Sequence, residues 1–183
     1  MYHKKTILIT GASSGLGRTI AKTYAKNGGR IINISRDISK MSSLQNRLNQ
    51  INSCDHLYFS ADVSNYKHIR NIQNTLHKKN IYPDVVINNA AGNFLCPFNK
   101  LSENGWKRII DIVLHGSFNI YHIFGKHLIE KGKPGVFLNV STTYSETGSA
   151  LVIPSAAAKA GVDNLMRGLT VEWSPYNIRL VGI

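Results

Sequence analysis

Three side chains that can take part in proton transfer stand close together late in the chain: Tyr144, Ser155 and Lys159. On a helix, Ser155 and Lys159 lie one turn apart on the same face. Pro154, which is well placed as a first helical residue, directs this face toward the preceding loop. A phenol is protonated at neutral pH and can donate a hydrogen bond without prior activation, and a lysine ammonium group supplies a positive field. The spacing thus predicts that the Ser155 hydroxyl group and the Lys159 ammonium group share one helix face, directed toward the loop that carries Tyr144.

Each of these residues also has a simpler interpretation. Tyr144 fits a loop aromatic that packs on the core or on a ligand, and Ser155 fits a helix N-terminal serine without chemistry. Lys159 fits an ordinary helix-surface lysine. His115, in a long predicted helix, fits either a satisfied core histidine or a hydrogen-bond donor that becomes stronger when protonated. The sequence leaves these alternatives open.

A glycine-rich turn, Thr-Gly-Ala-Ser-Ser-Gly-Leu-Gly, follows the first apolar run at residues 10–17. Its glycines permit a tight turn and let the backbone approach a pyrophosphate. The unpaired N–H groups and the positive dipole end of the following helix attract that anion. Because the turn stands between a predicted strand and a predicted helix, it predicts a dinucleotide-binding loop.

The end of the second predicted strand bears on which nicotinamide cofactor fits. An NAD site places a carboxylate there to accept from the ribose 2′-OH. Ser35 and Arg36 instead suit a 2′-phosphate, since a guanidinium group pairs with phosphate through two hydrogen bonds. Arg18 could assist from the glycine loop, whereas Asp37 is the rival signal. These residues favour NADPH.

The bulk composition limits the class of partner. The chain has 183 residues, enough for one domain, and a net charge of +12 that suits polyanions such as NADPH or a coenzyme A thioester. A nucleic-acid binder is the alternative, but the basic residues are dispersed and show no recognition-helix pattern.

Cys54 and Cys96 lack a metal-ligand spacing, and we expect no metal site, disulfide or membrane span. The first apolar run is too short for a signal sequence, which predicts a cytoplasmic protein, or a mitochondrial one if a transit peptide has been removed.

Short apolar runs alternate with longer amphipathic stretches along the whole chain. The runs at residues 5–10, 30–35, 56–60, 84–88, 136–141 and 178–183 predict strands buried on both faces. Helices are predicted at residues 15–27, 39–51, 66–79, 105–131 and 154–174. This alternation predicts a single α/β domain with a doubly wound, Rossmann-type parallel sheet, six strands in the order 3-2-1-4-5-6. Loops at 92–100 and 142–153 leave carboxyl ends of strands, where such sheets build their sites.

Three motifs together resemble the short-chain dehydrogenase/reductase family over the whole chain: the glycine loop, the Asn-Asn-Ala-Ala-Gly run at residues 88–92, and Lys159 in a late helix. The resemblance implies that Asp62 contacts the adenine and that Asn88 shapes the cofactor cleft. It also implies that Lys159 binds the nicotinamide ribose. The cofactor-binding residues expected from the motifs and the resemblance are Thr10, Gly11, Ser13, Ser14, Gly15, Leu16, Gly17, Ser35, Arg36, Asp62, Val63, Asn89, Ala90, Ala91, Gly92 and Lys159.

Within this family the chain is similar to the mitochondrial-type 2,4-dienoyl-CoA reductases, in residues 88–94, 144–149 and 154–162. Most family members place a tyrosine four residues before the lysine, where this chain has Ser155, and the dienoyl-CoA reductases place theirs earlier, as at Tyr144. The resemblance implies that NADPH gives hydride to the diene of an acyl-CoA, as in fatty-acid β-oxidation. Tyr144 would then stabilise the dienolate oxygen, and Ser155 would hydrogen-bond the cofactor or hold a water molecule.

Two departures from the dienoyl-CoA reductases bear on function. Their tyrosine acts with an asparagine of the long helix, and this chain has His115 at the matching position, which makes His115 a candidate catalytic residue. Thr142 stands where ordinary family members keep a catalytic serine. The chain also stops within the sixth strand, so we expect a truncated unit without the substrate-covering lid and last strand through which full-length members form tetramers.

Two alternative functions remain within the same fold. One is a reductase of a 3-oxoacyl thioester or another carbonyl, against which Ser155 argues, because carbonyl reduction needs a proton donor at the oxygen. The other is a non-catalytic NADP-binding fragment, which the early stop and His115 favour.

Overall fold

A parallel sheet with helices on both faces makes up the computed structural model, which describes residues 5–183. The strands are Thr6–Thr10 (β1), Arg30–Ser35 (β2), Leu57–Ser60 (β3), Val85–Asn88 (β4), Gly135–Asn139 (β5) and Ile178–Gly182 (β6). Their order in the sheet is β3-β2-β1-β4-β5-β6, with every neighbouring pair parallel. The predicted Rossmann-type fold and strand order are therefore confirmed.

Helices connect the strands and lie close to the predicted ranges. They are Gly15–Lys26 (α1), Ile38–Ile51 (α2), Tyr66–Lys78 (α3), a long helix over residues 103–130 (α4), Tyr144–Thr147 (α5) and Ile153–Trp173 (α6). Short 3-10 turns occupy Phe98–Lys100 and Ser174–Tyr176. None of the helices in the described part of the chain has the length and apolar character that a membrane crossing requires.

Alternating side chains of β1 point to two separate cores, as the period of two in a strand requires. Ile7 and Ile9 are fully buried against α1 and α2, whereas Leu8 is buried on the opposite face against α3, α4 and α6. The central strands are thus apolar on both faces because helices cover both. This double coverage fixes the carboxyl ends of the strands as one rigid edge.

Three helices begin at a side chain that caps them. Asp37 accepts a hydrogen bond from Lys40 N at 3.0 Å, and Asn65 accepts from His68 N at 3.1 Å. Ser102 accepts from Gly105 N at 3.1 Å, so α4 begins at Glu103, two residues before the predicted start. Such caps satisfy N–H groups that a helix leaves without a partner.

The edge strands correct the prediction that every strand is buried on both faces. Residues of β3 alternate between partly buried and exposed, and Tyr58 is 41% exposed. Four of the five residues of β6 are likewise not buried. An apolar run does not reveal whether its strand has a neighbour on one side or on both.

The long helix α4 also differs from the single regular helix that was predicted. Two π-helical segments, Asp111–His115 and Tyr121–Gly125, interrupt its α-helical hydrogen bonding. Such segments occur mostly as isolated turns within α-helices, frequently at functional sites. The predicted loop at 142–153 likewise contains a helical turn, α5, that carries Tyr144.

Candidate active site

A cleft of about 670 Å³ opens at the carboxyl ends of β1, β2, β3 and β4. Its walls include most of the residues that the sequence predicted for cofactor binding: Gly11, Ser13, Ser14, Leu16, Gly17, Ser35, Arg36, Asp62, Val63, Asn89, Ala90 and Ala91. Asp37, considered above as the rival signal for NAD, also lines the cleft, and sequence reasoning missed four further wall residues, Ile34, Lys40, Ala61 and Ile112. Ile34 and Ala61 adjoin predicted residues, whereas Lys40 and Ile112 come from helices and carry no motif that could have identified them.

Four of the residues predicted for cofactor binding, Thr10, Gly15, Gly92 and Lys159, do not line the cleft. Thr10 is fully buried behind it, where its Oγ1 accepts hydrogen bonds from Asn89 N at 3.0 Å and Ala90 N at 2.9 Å. Asn89 Nδ2 also donates to Thr10 O at 2.9 Å. These bonds join the ends of β1 and β4 and hold the floor of the cleft. Gly92 lies against Ile112 of α4, and Lys159 lies on α6.

Two glycines of the loop meet the backbone requirements of a dinucleotide. Gly15 adopts φ +53°, a left-handed conformation that favours glycine, and an added Cβ there would meet open space. Gly17 has no such room, because an added Cβ would lie 2.6 Å from Asn89 Nδ2 and 2.7 Å from Gly11 O. Among the described residues no side chain caps α1 at Ser14, so its first N–H groups remain available to an anion.

Charged side chains surround the outer end of the cleft. Asp62 Oδ2 lies 3.6 Å from Arg108 Nη2 and 3.9 Å from Arg36 Nη1, and Asp62 Oδ1 accepts from Ser64 N and Oγ. Partial burial opposes ionisation of Asp62, but the bonds from Ser64 and the two guanidinium groups outweigh it and hold its pKa below the ordinary value. Asp62 is therefore a fixed anionic acceptor at neutral pH.

Asp37, the rival signal for NAD, is engaged elsewhere. It caps α2, accepts from Ser39 Oγ at 2.8 Å and pairs with Lys40 Nζ at 3.1 Å. The bonds from Lys40 N, Ser39 and Lys40 Nζ lower the pKa of Asp37 to about 2. Arg18, expected to assist from the glycine loop, donates from Nη2 to Ser43 Oγ at 3.2 Å.

Lys159 is not a surface residue, since only 6% of it is exposed. Its ammonium group donates a hydrogen bond to the Val140 carbonyl, directly after β5. Desolvation by burial lowers the pKa of Lys159 below the ordinary value, and the charge of Asp163 partly opposes this shift. The interpretation of Lys159 as a helix-surface lysine is therefore wrong.

The structure brings Tyr144 and Ser155 together although eleven residues separate them. The Tyr144 hydroxyl lies 3.3 Å from Ser155 Oγ, and Ser155 is only 3% exposed. Ser155 and Lys159 occupy successive turns of α6, so two hydroxyl groups and one ammonium group face the same region. Thr142 lines a different depression with Asp163, outside the cleft at the glycine loop.

His115 is not a core histidine, because its side chain is 60% exposed. Its Nδ1 lies 2.9 Å from Asp111 Oδ1, within the first π-helical segment. The same carboxylate accepts from Lys107 Nζ at 2.8 Å through Oδ2. No three His, Cys, Asp or Glu side chains in residues 5–183 group as metal ligands would.

The residues at the cleft fit a dinucleotide in shape and in chemistry. Glycines bring the backbone to the surface, a helix N-terminus offers N–H donors, and guanidinium groups stand at the outer end.

The sequence of this chain is similar to those of known reductases. A 39% identical relative from Bacillus subtilis, named a probable 2,4-dienoyl-CoA reductase, aligns over 96% of this chain and 69% of its own length. The peroxisomal 2,4-dienoyl-CoA reductase of Rattus norvegicus is 36% identical over 96% of this chain, which spans 60% of that relative.

Solved structures agree with these sequence comparisons. A crystal structure of a short chain dehydrogenase from Bacillus anthracis matches with a TM-score of 0.93 and 40% identity, over 97% of this chain and 74% of that one. A metagenomic short-chain oxidoreductase solved with NADP shares the fold at 21% identity and a TM-score of 0.91, over 99% of this chain and 80% of that one. The family model of the short chain dehydrogenases matches residues 5–183. The chain belongs to the short chain dehydrogenase family.

Proposed function

We propose that this oxidoreductase reduces 2,4-dienoyl-CoA thioesters with NADPH. The observation that carries the proposal is the 3.3 Å contact between the Tyr144 hydroxyl and Ser155 Oγ. Ser155 occupies the helical position at which most short-chain reductases carry their tyrosine, and Tyr144 brings a phenol to it from a separate element. The names of the relatives from Bacillus subtilis and Rattus norvegicus support this substrate class.

The chemistry divides between binding the cofactor and stabilising charge on the substrate. The bound nicotinamide supplies the hydride that reduces the diene. Negative charge then develops on the thioester oxygen, where the protonated Tyr144 hydroxyl donates a hydrogen bond. Lys159 holds its charge beside the strand end through Val140 O, and Ser155 orients the Tyr144 hydroxyl. Burial of Ser155 and Lys159 strengthens these interactions because it keeps water away.

Arg36 supports NADPH rather than NADH as the cofactor. It lines the cleft at the end of β2, with its Nη1 3.9 Å from Asp62 Oδ2 and 61% of its side chain exposed, so its guanidinium group can reach a 2′-phosphate, whereas Asp37 is occupied in capping α2. Removing a hydrogen bond to a charged group costs about 1.5–3 kcal/mol. We expect Arg36→Ala to raise the Kd of NADPH about ten- to a hundredfold and to leave the Kd of NADH almost unchanged, as measured by fluorescence titration.

The matched control is Arg47→Ala, which removes an exposed arginine from α2 without touching the cleft. It should leave both dissociation constants as they are. An unchanged ratio of NADPH to NADH affinity in Arg36→Ala would refute the role of Arg36 and reopen the choice of cofactor.

The function itself is tested by following NADPH oxidation with a 2,4-dienoyl-CoA and, in parallel, with a 3-oxoacyl-CoA, on the longest available form of the protein. Turnover of the dienoyl substrate alone is the expected result. Turnover of the oxoacyl substrate alone would replace the proposal with a carbonyl reductase in which Tyr144 protonates the product. Binding of NADPH without turnover of either would support a cofactor-binding unit that lacks catalysis.

A further inference from the structure

The two oxygens of the Asp37 carboxylate have different partners. Oδ1 accepts from Lys40 N at 3.0 Å and from Ser39 Oγ at 2.8 Å, within the first turn of α2. Oδ2 lies 3.1 Å from the ammonium nitrogen of Lys40. The cap of α2 therefore depends on one oxygen, whereas the ion pair with the Lys40 side chain uses the other.

Both members of this ion pair stand in the wall of the cofactor cleft. Asp37 and Lys40 line it together with Arg36, which follows β2 directly. The Asp37 side chain is 39% exposed and the Lys40 side chain 58% exposed, so both reach the space that a ligand would occupy. The ion pair thus belongs to the part of the cleft in which a dinucleotide-binding sheet places the adenosine ribose.

Without a cation beside it, the Asp37 carboxylate would favour NADH. The carboxylate that accepts from the ribose 2′-OH stands about 20 residues after the glycine motif, and Asp37 follows Gly17 at that separation. The bonds from Lys40 N, Ser39 Oγ and Lys40 Nζ lower the pKa of Asp37 to about 2, so it is ionised at neutral pH. An unpaired Oδ2 there accepts from the 2′-OH of NADH and repels the 2′-phosphate of NADPH.

The other cations at this end of the cleft face a different carboxylate. Arg36 Nη1 lies 3.9 Å from Asp62 Oδ2, which Arg108 Nη2 approaches to 3.6 Å. Within residues 5–183, Lys40 is the cation paired with Asp37. Loss of the Lys40 ammonium group would therefore leave the charge of Asp37 uncompensated, next to the guanidinium group of Arg36.

We propose that Lys40 is a specificity-determining residue that turns the cleft toward NADPH by holding Asp37 Oδ2. The inference rests on the proposed NADPH-dependent function. The ammonium group compensates the charge that would repel a 2′-phosphate, and it occupies the oxygen that would accept from the 2′-OH of NADH. Arg36 attracts the phosphate, and Lys40 suppresses the side chain that would select the other cofactor.

The first test replaces Lys40 and measures both dissociation constants by fluorescence titration. Lys40→Ala should raise the Kd of NADPH about tenfold and lower the Kd of NADH about threefold, because Oδ2 becomes an unpaired anionic acceptor. Lys40→Arg keeps a cation that can pair with Asp37 and should retain the wild-type ratio of the two constants. A Lys40→Ala protein with the wild-type ratio would overturn the proposal.

A second substitution separates the ion pair from a direct contact between Lys40 and the phosphate. Asparagine is a good N-cap residue with a single side-chain oxygen, so Asp37→Asn keeps the cap and puts an NH₂ group in place of Oδ2. In the Lys40→Ala/Asp37→Asn double variant, most of the lost NADPH affinity should return and the gain for NADH should disappear. If the double variant binds both cofactors like Lys40→Ala, Lys40 does not act through Asp37 and the proposal is wrong.

The matched control is Lys126→Ala. Lys126 is a helix lysine with 56% of its side chain exposed, paired with Glu130 on α4, and it does not line the cleft. Its loss should leave both dissociation constants unchanged. A purely structural role of Lys40 would raise the two constants by the same factor, and that result would also count against selection by Lys40.

These binding measurements need no turnover, so they separate this inference from the proposed function. A wild-type protein that binds NADH at least as tightly as NADPH would refute the proposed cofactor and the role of Lys40 with it. A wild-type protein that prefers NADPH, with an unchanged preference in Lys40→Ala, would refute the role of Lys40 alone. Failure to reduce a 2,4-dienoyl-CoA would refute the proposed substrate and leave the comparison of the two cofactors valid.

Discussion

Tyr144→Phe is expected to lower kcat for a 2,4-dienoyl-CoA by about 10²–10³-fold, the usual effect of removing one donor from an oxyanion site. The ring remains, so packing of α5 is kept, and only the hydroxyl near Ser155 Oγ is lost. The Kd of NADPH should not change, because Tyr144 is not part of the cleft at the glycine loop. Steady-state kinetics and a cofactor titration on the same preparation measure both quantities.

Tyr58→Phe is the matched control, since it removes a phenol from the exposed edge strand β3. It should leave kcat at the wild-type value. Ser155→Ala should cause a smaller loss than Tyr144→Phe, because Ser155 acts by orienting the phenol. A Tyr144→Phe enzyme with nearly full kcat would show that the proton donor or oxyanion donor lies elsewhere, with His115 the next residue to replace.

Gly17→Ala is expected to impair both folding and cofactor binding. The new methyl group would meet Asn89 Nδ2 at 2.6 Å, Gly11 O at 2.7 Å and Ala12 Cα at 3.0 Å, two of which are backbone atoms. Overpacking of this kind costs about 1–3 kcal/mol of unfolding free energy. Gly11 and Asn89 line the cleft, and a loss of about 1.4 kcal/mol in binding already raises the Kd of NADPH tenfold. Thermal unfolding with and without NADPH measures the two effects together.

Gly168→Ala provides the control for this substitution. Gly168 lies within α6, and an added Cβ there meets nothing within 4 Å. Alanine is favoured over glycine in a helix by about 1 kcal/mol, so this variant should be as stable as the wild type or more stable. A Gly17→Ala protein that melts and binds NADPH like the wild type would mean that the loop has room that the structure does not show.

The sheet and the cofactor cleft could be predicted because local patterns determine them. Apolar runs mark the strands, and the glycine turn stands between a strand and a helix, so its residues reach the cleft wherever the rest of the chain packs. Lys159 could be identified by its position, but its burial could not, because it depends on how α6 docks beside Val140. Contacts over long sequence separations, such as that of Arg108 with Asp62, carry no signal in a single sequence.

The contact between Tyr144 and Ser155 could not be predicted either, because it also depends on how distant parts of the chain pack. Tyr144 reaches Ser155 because residues 148–152 turn the chain back, with Gly148 at φ +69° and Leu151 at φ +65°. A left-handed leucine is uncommon and follows from tertiary packing rather than from local preference. The π-helical segment at Asp111 is similar, since no residue in it differs from those of an ordinary helix.

Tyr144 and Lys159 lie on different helices, α5 and α6, so the segment that carries the phenol is separate from the one that carries the ammonium group. In the proposed function, Lys159 and the glycine loop hold the redox partner, whereas the phenol of Tyr144 stands on a separate segment, α5 with the turn behind it. Exchange of residues 142–153 as a block would alter which functional group of a substrate is protonated and leave the electron donor in place. If the proposed roles hold, the reaction type is set by one loop and the choice of electron donor by the rest of the chain.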